Sequence, residues 1–272
     1  MPSIDPRPAT TILLLRDHPT GPEVFLVQRH GNSGFLPNAW VFPGGRVDDG
    51  DHLRGHPAVH GGDRTATALA IEPALAIAYL VAGVRETFEE CGIWLGHGTP
   101  AADLRGVLSR NEISITQLLE QQHAALDLDR LSPWAHWVTP VVEKRRFDTR
   151  FFVARADGAG THDDHETIDS GWFRPAAVLP DPSRFPLAPP TWWTLRELAT
   201  FPNVQAILDT APARSHAPVQ PVIEMGDDGM LLLLPGHPQH PAAHIPGMPT
   251  HLIFEAGQWV ALEGDRRLPL LP

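Results

Sequence analysis

The residues Val81 to Ile93, VAGVRETFEECGI, constrain the fold of this chain more than any other stretch. They carry the period of a helix with two unlike faces. Val81, Val84, Phe88 and Cys91 recur at intervals of three and four and form one apolar stripe. Glu86, Glu89 and Glu90 fall on the opposite face. Gly92 supplies a stop, as a residue that turns left-handed without strain. Stability alone does not explain this helix. Neighbouring carboxylates repel, and the macrodipole disfavours negative charge in the last turns. A bound divalent cation removes both objections, because hard cations take carboxylate oxygens. The alternative on the helix alone is an amphipathic helix with a solvated acidic face.

The stretch Phe42 to Asp51, FPGGRVDDGD, supplies a glycine pair, Gly44 and Gly45, that allows a tight turn and a close approach by another group. Together the two stretches resemble the Nudix motif of pyrophosphohydrolases. That motif is Gly, five residues, Glu, seven residues, then Arg-Glu-aliphatic-any-Glu-Glu-any-Gly-aliphatic. Here Gly45 is followed after five residues by Asp51 in place of Glu. The second half is Arg85 to Ile93, with Thr87 at the aliphatic position. The two halves are 33 residues apart, where the family has seven. This gap is similar to a branch that carries an insertion inside the motif and includes coenzyme A diphosphatases. FLVQRHGNSGFLPNAWVFPGG also resembles the region ahead of the motif in that branch. Arg29 matches its first arginine, while Gly34 replaces a second arginine and Asn38 a glycine. WVTP and RRFDTRFF further along resemble the same branch.

The resemblance implies an α/β chain: a Nudix α/β/α sandwich with a mixed central sheet over residues 1–212, plus a small β-rich extension over 213–272. At 272 residues such a chain buries a good core. Its net charge of -11 argues against nucleic-acid binding through a broad basic surface. The one cysteine, Cys91, excludes an intramolecular disulfide framework and fits a reducing cytoplasm. It lies on the apolar stripe, so it reads as core. No apolar run approaches the length of a membrane span, and the start lacks a signal-peptide core.

Ala9 to Arg16 and Glu23 to Arg29 read as strands joined by a turn. The insertion, about His52 to Glu72, carries His52, His56 and His60, which on a helix could suggest a metal site. Gly55, Pro57, Gly61 and Gly62 argue against a helix, so these read as solvated histidines on a surface loop that tolerates shortening. Pro73 opens the next helix. Ala101 to Ser109 and Ser114 to Leu126 read as helices, the second with a Ser114–Gln117 capping box. Trp134 to Pro140 and Phe147 to Ala156 read as strands. Between them stand Lys144, Arg145 and Arg146, readable as a solvated hairpin or as a phosphate clamp. Pro190 to Ala211 contains a helix that closes the fold. Past Pro218, two hairpins turn on glycine. Their LLLL run must be buried within their own domain or against a second subunit, which would make a homodimer.

By resemblance, Glu86, Glu89 and Glu90 bind Mg²⁺ or Mn²⁺, helped by a backbone carbonyl at Gly44 or Gly45. Arg85 orients the carboxylates. Glu86 is the preferred general base and Glu166 the alternative. Nudix enzymes place a further metal-binding carboxylate shortly before a tryptophan such as Trp172; Glu166 fits by spacing, with Asp164 as competitor. Asp51 is a methylene shorter than the family's glutamate and is expected to hold its loop. Arg29, Lys144, Arg145 and Arg146 are the candidate substrate cations. The implied substrate is a small nucleoside diphosphate linked to another moiety, first coenzyme A or its thioesters, then NADH or ADP-ribose. A non-catalytic nucleotide sensor is the alternative of another class. No nucleic acid or membrane partner is expected.

Overall fold

The computed structural model describes residues 5–34, 36–163, 165–226 and 229–271. Its elements, in chain order, begin with β1 (Arg7–Arg16), β2 (Glu23–Arg29), β3 (Trp40–Val41), β4 (Val59–His60), α1 (Asp63–Leu69) and α2 (Pro73–Cys91). There follow β5 (Gly96–His97), α3 (Leu104–Ser109), α4 (Ile115–Gln122), β6 (Ala125–Asp127), β7 (Ser132–Val138), β8 (Phe147–Arg155) and β9 (Thr167–Phe173). Last come α5 (Pro175–Val178), α6 (Pro189–Leu198), α7 (Val204–Thr210) and the strands β10 (Val222–Gly226), β11 (Gly229–Leu233), β12 (His251–Glu255), β13 (Gln258–Glu263) and β14 (Arg266–Arg267). Among the described residues no single helix is long and apolar enough to cross a membrane.

β1 is the strand on which everything else is hung. Its run Ile12-Leu13-Leu14-Leu15 is fully buried on both faces, as a central strand requires. It pairs in parallel with β8 from Arg7↔Phe147 to Leu15↔Arg155. With β2 it pairs antiparallel only at its end, Leu15↔Val24 and Arg16↔Glu23. Along its first half that same edge takes the glycine turn instead. Thr10 N–H donates to Gly45 O at 2.8 Å, Ile12 N–H to Pro43 O at 2.8 Å and Val47 N–H to Pro8 O at 3.0 Å. The mixed sheet runs β3-β2-β1-β8-β7, with β9 also on β2.

Ile12, Leu14, Phe25, Val27 and Phe152 face α2, meeting Leu80, Val81, Val84 and Phe88. A Cβ at Gly83 would lie 2.5 Å from Ile12 Cδ1, so helix and strand touch where only glycine fits. α2 begins and ends as expected, with Pro73 in its first turn and Gly92 left-handed at φ 67°. Thr87 sits at the aliphatic position without penalty: it is fully buried and its hydroxyl donates to Gly83 O at 2.7 Å. The Ser114–Gln117 capping box is formed on α4.

Two expectations are corrected here. The first concerns the insertion. The segment 52–58 is free of helix and strand, in keeping with solvated histidines, and His52 and His60 are exposed. The rest is not a surface loop. Val59 and His60 pair in parallel with Leu126 and Asp127, and β5 closes the three-stranded sheet β4-β6-β5 from the other side. α1 buries Thr65, Ala66 and Leu69. Gly62 N–H donates to Asp129 Oδ1 at 3.1 Å and ties the segment to the loop before β7.

The second concerns the C-terminal strands. β10-β11-β12-β13-β14 form a separate antiparallel sheet, as the glycine hairpins predict. That sheet is not an appendage with a core of its own. Leu232, Leu234, Leu252, Trp259 and Ala261 belong to one hydrophobic cluster with Leu13, Leu15, Leu26 and Val153 of the main sheet and with Trp192, Trp193 and Leu195 of α6. Trp259 Nε1 donates to Leu187 O at 3.0 Å and Arg196 Nε to Pro269 O at 3.0 Å. α6 and the second sheet are therefore the layer opposite α2. The LLLL run finds its burial inside the chain: Leu232, Leu233 and Leu234 are buried without a second subunit.

Candidate active site

The glycine turn lies on the edge of β1 and the last turns of α2 lie over the same strand, so the two motif halves meet. Gly44 is at φ 154°, and a Cβ there would run into the backbone of Thr10 and Thr11. A Cβ at Gly45 would run into the Glu86 carboxylate. The two glycines thus serve two contacts, one with the strand below and one with the acid above. Gly44 N–H donates to Glu90 Oε2 at 3.0 Å. The carbonyl of Gly45 already accepts from Thr10, so one of its lone pairs is spent on the sheet rather than kept for a metal.

Arg85 joins the halves. Its Nε and Nη2 grip Asp51 Oδ1 and Oδ2, both at 2.9 Å. Nη2 also reaches Arg46 O at 3.0 Å, and Nη1 reaches Glu86 Oε1 at 3.0 Å and Glu89 Oε2 at 3.2 Å. A guanidinium has five N–H donors, and these contacts engage all of them. Arg85 is therefore a positioning group, with no donor left for a substrate phosphate. Asp51 is fully buried, and its Oδ2 also accepts from Asp48 N–H at 2.9 Å. The shorter acid holds the loop and the arginine, as expected.

The acidic face is not solvated. The side chains of Glu86 and Glu89 are 14 % and 12 % exposed, and Glu90 is buried. Burial pushes the Glu86 carboxyl up to about 8 against the pull of Arg85, with Glu89 adding to the rise. Burial raises Glu89 too, and lifts Glu90 well above the usual carboxylate range, helped by Glu86. This is a cluster short of positive charge, and an all-oxygen donor set suits a hard cation. As placed, no three described acids or histidines converge on one point. Glu86 and Glu89 turn an oxygen to Arg85 and Glu90 turns to Gly44, so closing on an ion requires side-chain rotation.

The carboxylates open into a cavity of about 350 Å³. Arg29 and Glu166 line it. Glu166 is exposed and its charge is felt by Glu86, Glu89 and Glu90. Asp164 lies outside the described residues. The other expected cations do not gather there. Lys144 is exposed on the β7–β8 turn. Arg146 is buried with its Nε on Thr139 O at 3.1 Å, which makes it part of the turn's frame rather than a clamp. Arg145 sits over Gly34, where any side chain would strike its guanidinium. The glycine standing where the branch has an arginine thus makes room for an arginine from another strand turn. Asn38, in place of a glycine, holds the left-handed φ of 61° that asparagine tolerates.

Asp163 stands in HDDHE, a stretch dense in potential ligands, while Ser109, Asn111 and Arg105 carried no sequence signal. Asp163 lines the cavity and accepts N–H bonds from His165, Glu166 and Thr167, which fixes the loop that carries Glu166. Ser109 and Asn111 reach the cavity from the end of α3. Arg105 donates to Glu89 O at 2.7 Å and to Glu90 O, placing a cation on the C-terminal carbonyls of α2. That answers the dipole objection to an acidic helix end. Only its place one helix away links it to the motif.

Comparisons with known proteins bear on the family and the fold. The chain is 27% identical over 273 residues to the acyl-coenzyme A diphosphatase NUDT19 of Xenopus laevis, covering 80% of this chain and 71% of that one. It is 28% identical over 285 residues to the protein of that name from Gallus gallus, covering 82% and 75%. The crystal structure of a Nudix hydrolase from Alicyclobacillus acidocaldarius superposes with a TM-score of 0.65 at 26% identity, covering 76% of this chain and 96% of that one. The family profile of the NUDT19 Nudix domain matches residues 56–198, which include Arg85, the three glutamates and Glu166. The acid-bearing helix and Glu166 fall within this match, which spans more than half of the chain and makes it a member of the Nudix hydrolase family, in the branch described by the NUDT19 Nudix domain.

Proposed function

We propose that the protein hydrolyses the diphosphate linkage of coenzyme A and its thioesters, giving adenosine 3′,5′-bisphosphate and (acyl-)4′-phosphopantetheine. The observation that carries the chemistry is the balance of charge around Arg85. Asp51, Glu86 and Glu89 all accept from one guanidinium whose donors are engaged, and Glu90 stands beside Glu86 with an oxygen on Gly44 N–H. The missing positive charge has to come with the substrate complex. Mg²⁺ or Mn²⁺ held by Glu86, Glu89 and Glu90 would neutralise the diphosphate and acidify the attacking water. Glu86 would accept a proton from the attacking water, whose oxygen bonds to phosphorus as the anhydride P–O bond breaks and the second phosphate leaves. Arg85 keeps Glu86 and Glu89 in place. The choice of substrate is supported by the two relatives named acyl-coenzyme A diphosphatases, each aligned over four-fifths or more of this chain.

The test is a hydrolysis screen with Mg²⁺ and Mn²⁺ over coenzyme A, dephospho-coenzyme A, NADH and ADP-ribose, with products identified by mass. Coenzyme A is expected to have the highest kcat/KM. A preference for NADH or ADP-ribose would replace the substrate and leave the chemistry. Binding without turnover of any of these would make the protein a sensor.

A further inference from the structure

Beside the acidic cavity lies a second one of about 460 Å³, between the main sheet and the C-terminal sheet. Well-packed interiors leave few voids larger than a water molecule, and this volume is that of a small-molecule site. The two cavities share Thr11, Phe147 and Thr149. These belong to β1 and β8, the parallel pair that also carries the glycine turn's edge. Most polar groups of the second cavity stand near this shared wall, Thr149 itself and Thr139 and Glu143 of the adjoining turn, where Phe147 N–H donates to Thr139 Oγ1 at 3.0 Å; Thr191 of α6 adds one hydroxyl elsewhere. The far wall comes from the C-terminal sheet, with Ile223, Met230, Leu232, Phe254 and Trp259. Phe254 is 39% exposed, so that wall has an open lip. The two cavities therefore adjoin at this wall, one lined by carboxylates and the other, beyond a few hydroxyls, by aliphatic and aromatic side chains.

A ligand that matches this order carries a diphosphate and, along one arm from it, a few polar groups followed by a hydrocarbon. We propose that the second cavity receives the aliphatic chain of an acyl thioester whose diphosphate lies among the carboxylates. The C-terminal sheet then selects substrates by acyl length. A nucleoside fits the far wall poorly, because a purine edge needs donors and acceptors that Ile223, Met230, Leu232 and Phe254 do not offer. This inference rests on the coenzyme A reading above, and goes beyond it by assigning a site to the acyl group.

The experiment compares kcat/KM for free coenzyme A, acetyl-coenzyme A and octanoyl-coenzyme A in the wild type and in Met230→Trp. Met230 is half-buried, and tryptophan at that position would fill the far end. Ile223→Trp, from the facing strand, repeats the test should the first variant be insoluble. The wild type is expected to favour octanoyl- over free coenzyme A by roughly tenfold or more, since each buried methylene is worth about 0.8 kcal/mol. The variants should collapse that ratio toward one, mainly through KM, as loss of uniform binding does. A wild-type ratio within twofold of one, with free coenzyme A hydrolysed, overturns the acyl site and leaves the proposed function standing. So does an unchanged ratio in both variants. Weaker inhibition of the variants by adenosine 3′,5′-bisphosphate would assign the cavity to the nucleoside, which also overturns the proposal. If the wild type hydrolyses no coenzyme A compound, the substrate reading fails and takes the acyl site with it.

Discussion

At the scale of single residues, the Asp51–Arg85 pair is the hinge of the site. Both side chains are removed from water, and the guanidinium has no spare donor. Breaking a buried ion pair from one side costs about 3–5 kcal/mol, because the partner keeps its desolvation penalty. Asp51→Ala is expected to lose stability of that order in urea titrations monitored by tryptophan fluorescence. Glu89→Gln and Glu90→Gln are expected to lose about a hundredfold or more in kcat with either metal, through lost charge stabilisation, and a chelator should abolish wild-type turnover. Near-normal rates in both variants would remove them from the site. Glu86 gives a pH prediction with a definite sign. Its carboxyl titrates near 8 in the metal-free fold and near the ordinary glutamate value, about 4.3, when unfolded. Between those values the folded state binds more protons, so its contribution to stability is full below about 4.3 and is lost as pH rises toward 8. In chelator, the melting temperature of the wild type relative to Glu86→Gln should fall from pH 5 to pH 8. A flat or rising difference would show that burial does not govern this group.

At the scale of elements, α2 was legible from end to end. Pro73, the apolar stripe, the glutamates and Gly92 each carry a local signal, and the helix runs from Pro73 to Cys91. The glycine turn and the role of Asp51 were legible for the same reason, being read from motif spacing. What failed was non-local. The strand at Val59–His60 is two residues long and has no alternation to read; it exists because Leu126 and Asp127 stand beside it. Glycine and proline around it signal loop, and tertiary pairing overrides them. Lys144, Arg145 and Arg146 look alike in sequence, yet a carbonyl at Thr139 takes one inward and the other two remain exposed on the turn. The earlier expectation that residues 52–72 can be shortened is therefore reversed. Deleting them removes α1 and one edge of the small sheet, and the product is expected in the insoluble fraction. Leu69→Ala, a milder change on the buried face of α1, should cost about 2–3 kcal/mol in urea titrations. A soluble, cooperatively melting deletion would return the segment to the status of a loop.

At the scale of the whole molecule, the main sheet carries two hydrophobic clusters, one with α2 and the other with α6 and the C-terminal strands. Truncation after Ala213 would uncover the faces that meet Leu232, Leu252 and Trp259, and is expected to leave a protein that binds anilinonaphthalene sulfonate and melts without cooperativity. The sequence could not show this, because the second sheet's apolar residues look the same whether they bury one another or a distant helix. The clasp between Asp51 and Arg85 has a consequence of a different kind. The two halves of the active centre are fastened by side chains and by strand pairing on β1, not by the length of chain between them. Loop length adds little entropic cost once the ends are held. The stretch between Asp51 and Pro73 is thus a place where a gene can lengthen while the clasp holds. β4 and α1 are what such growth looks like once the added chain has found something to pack against.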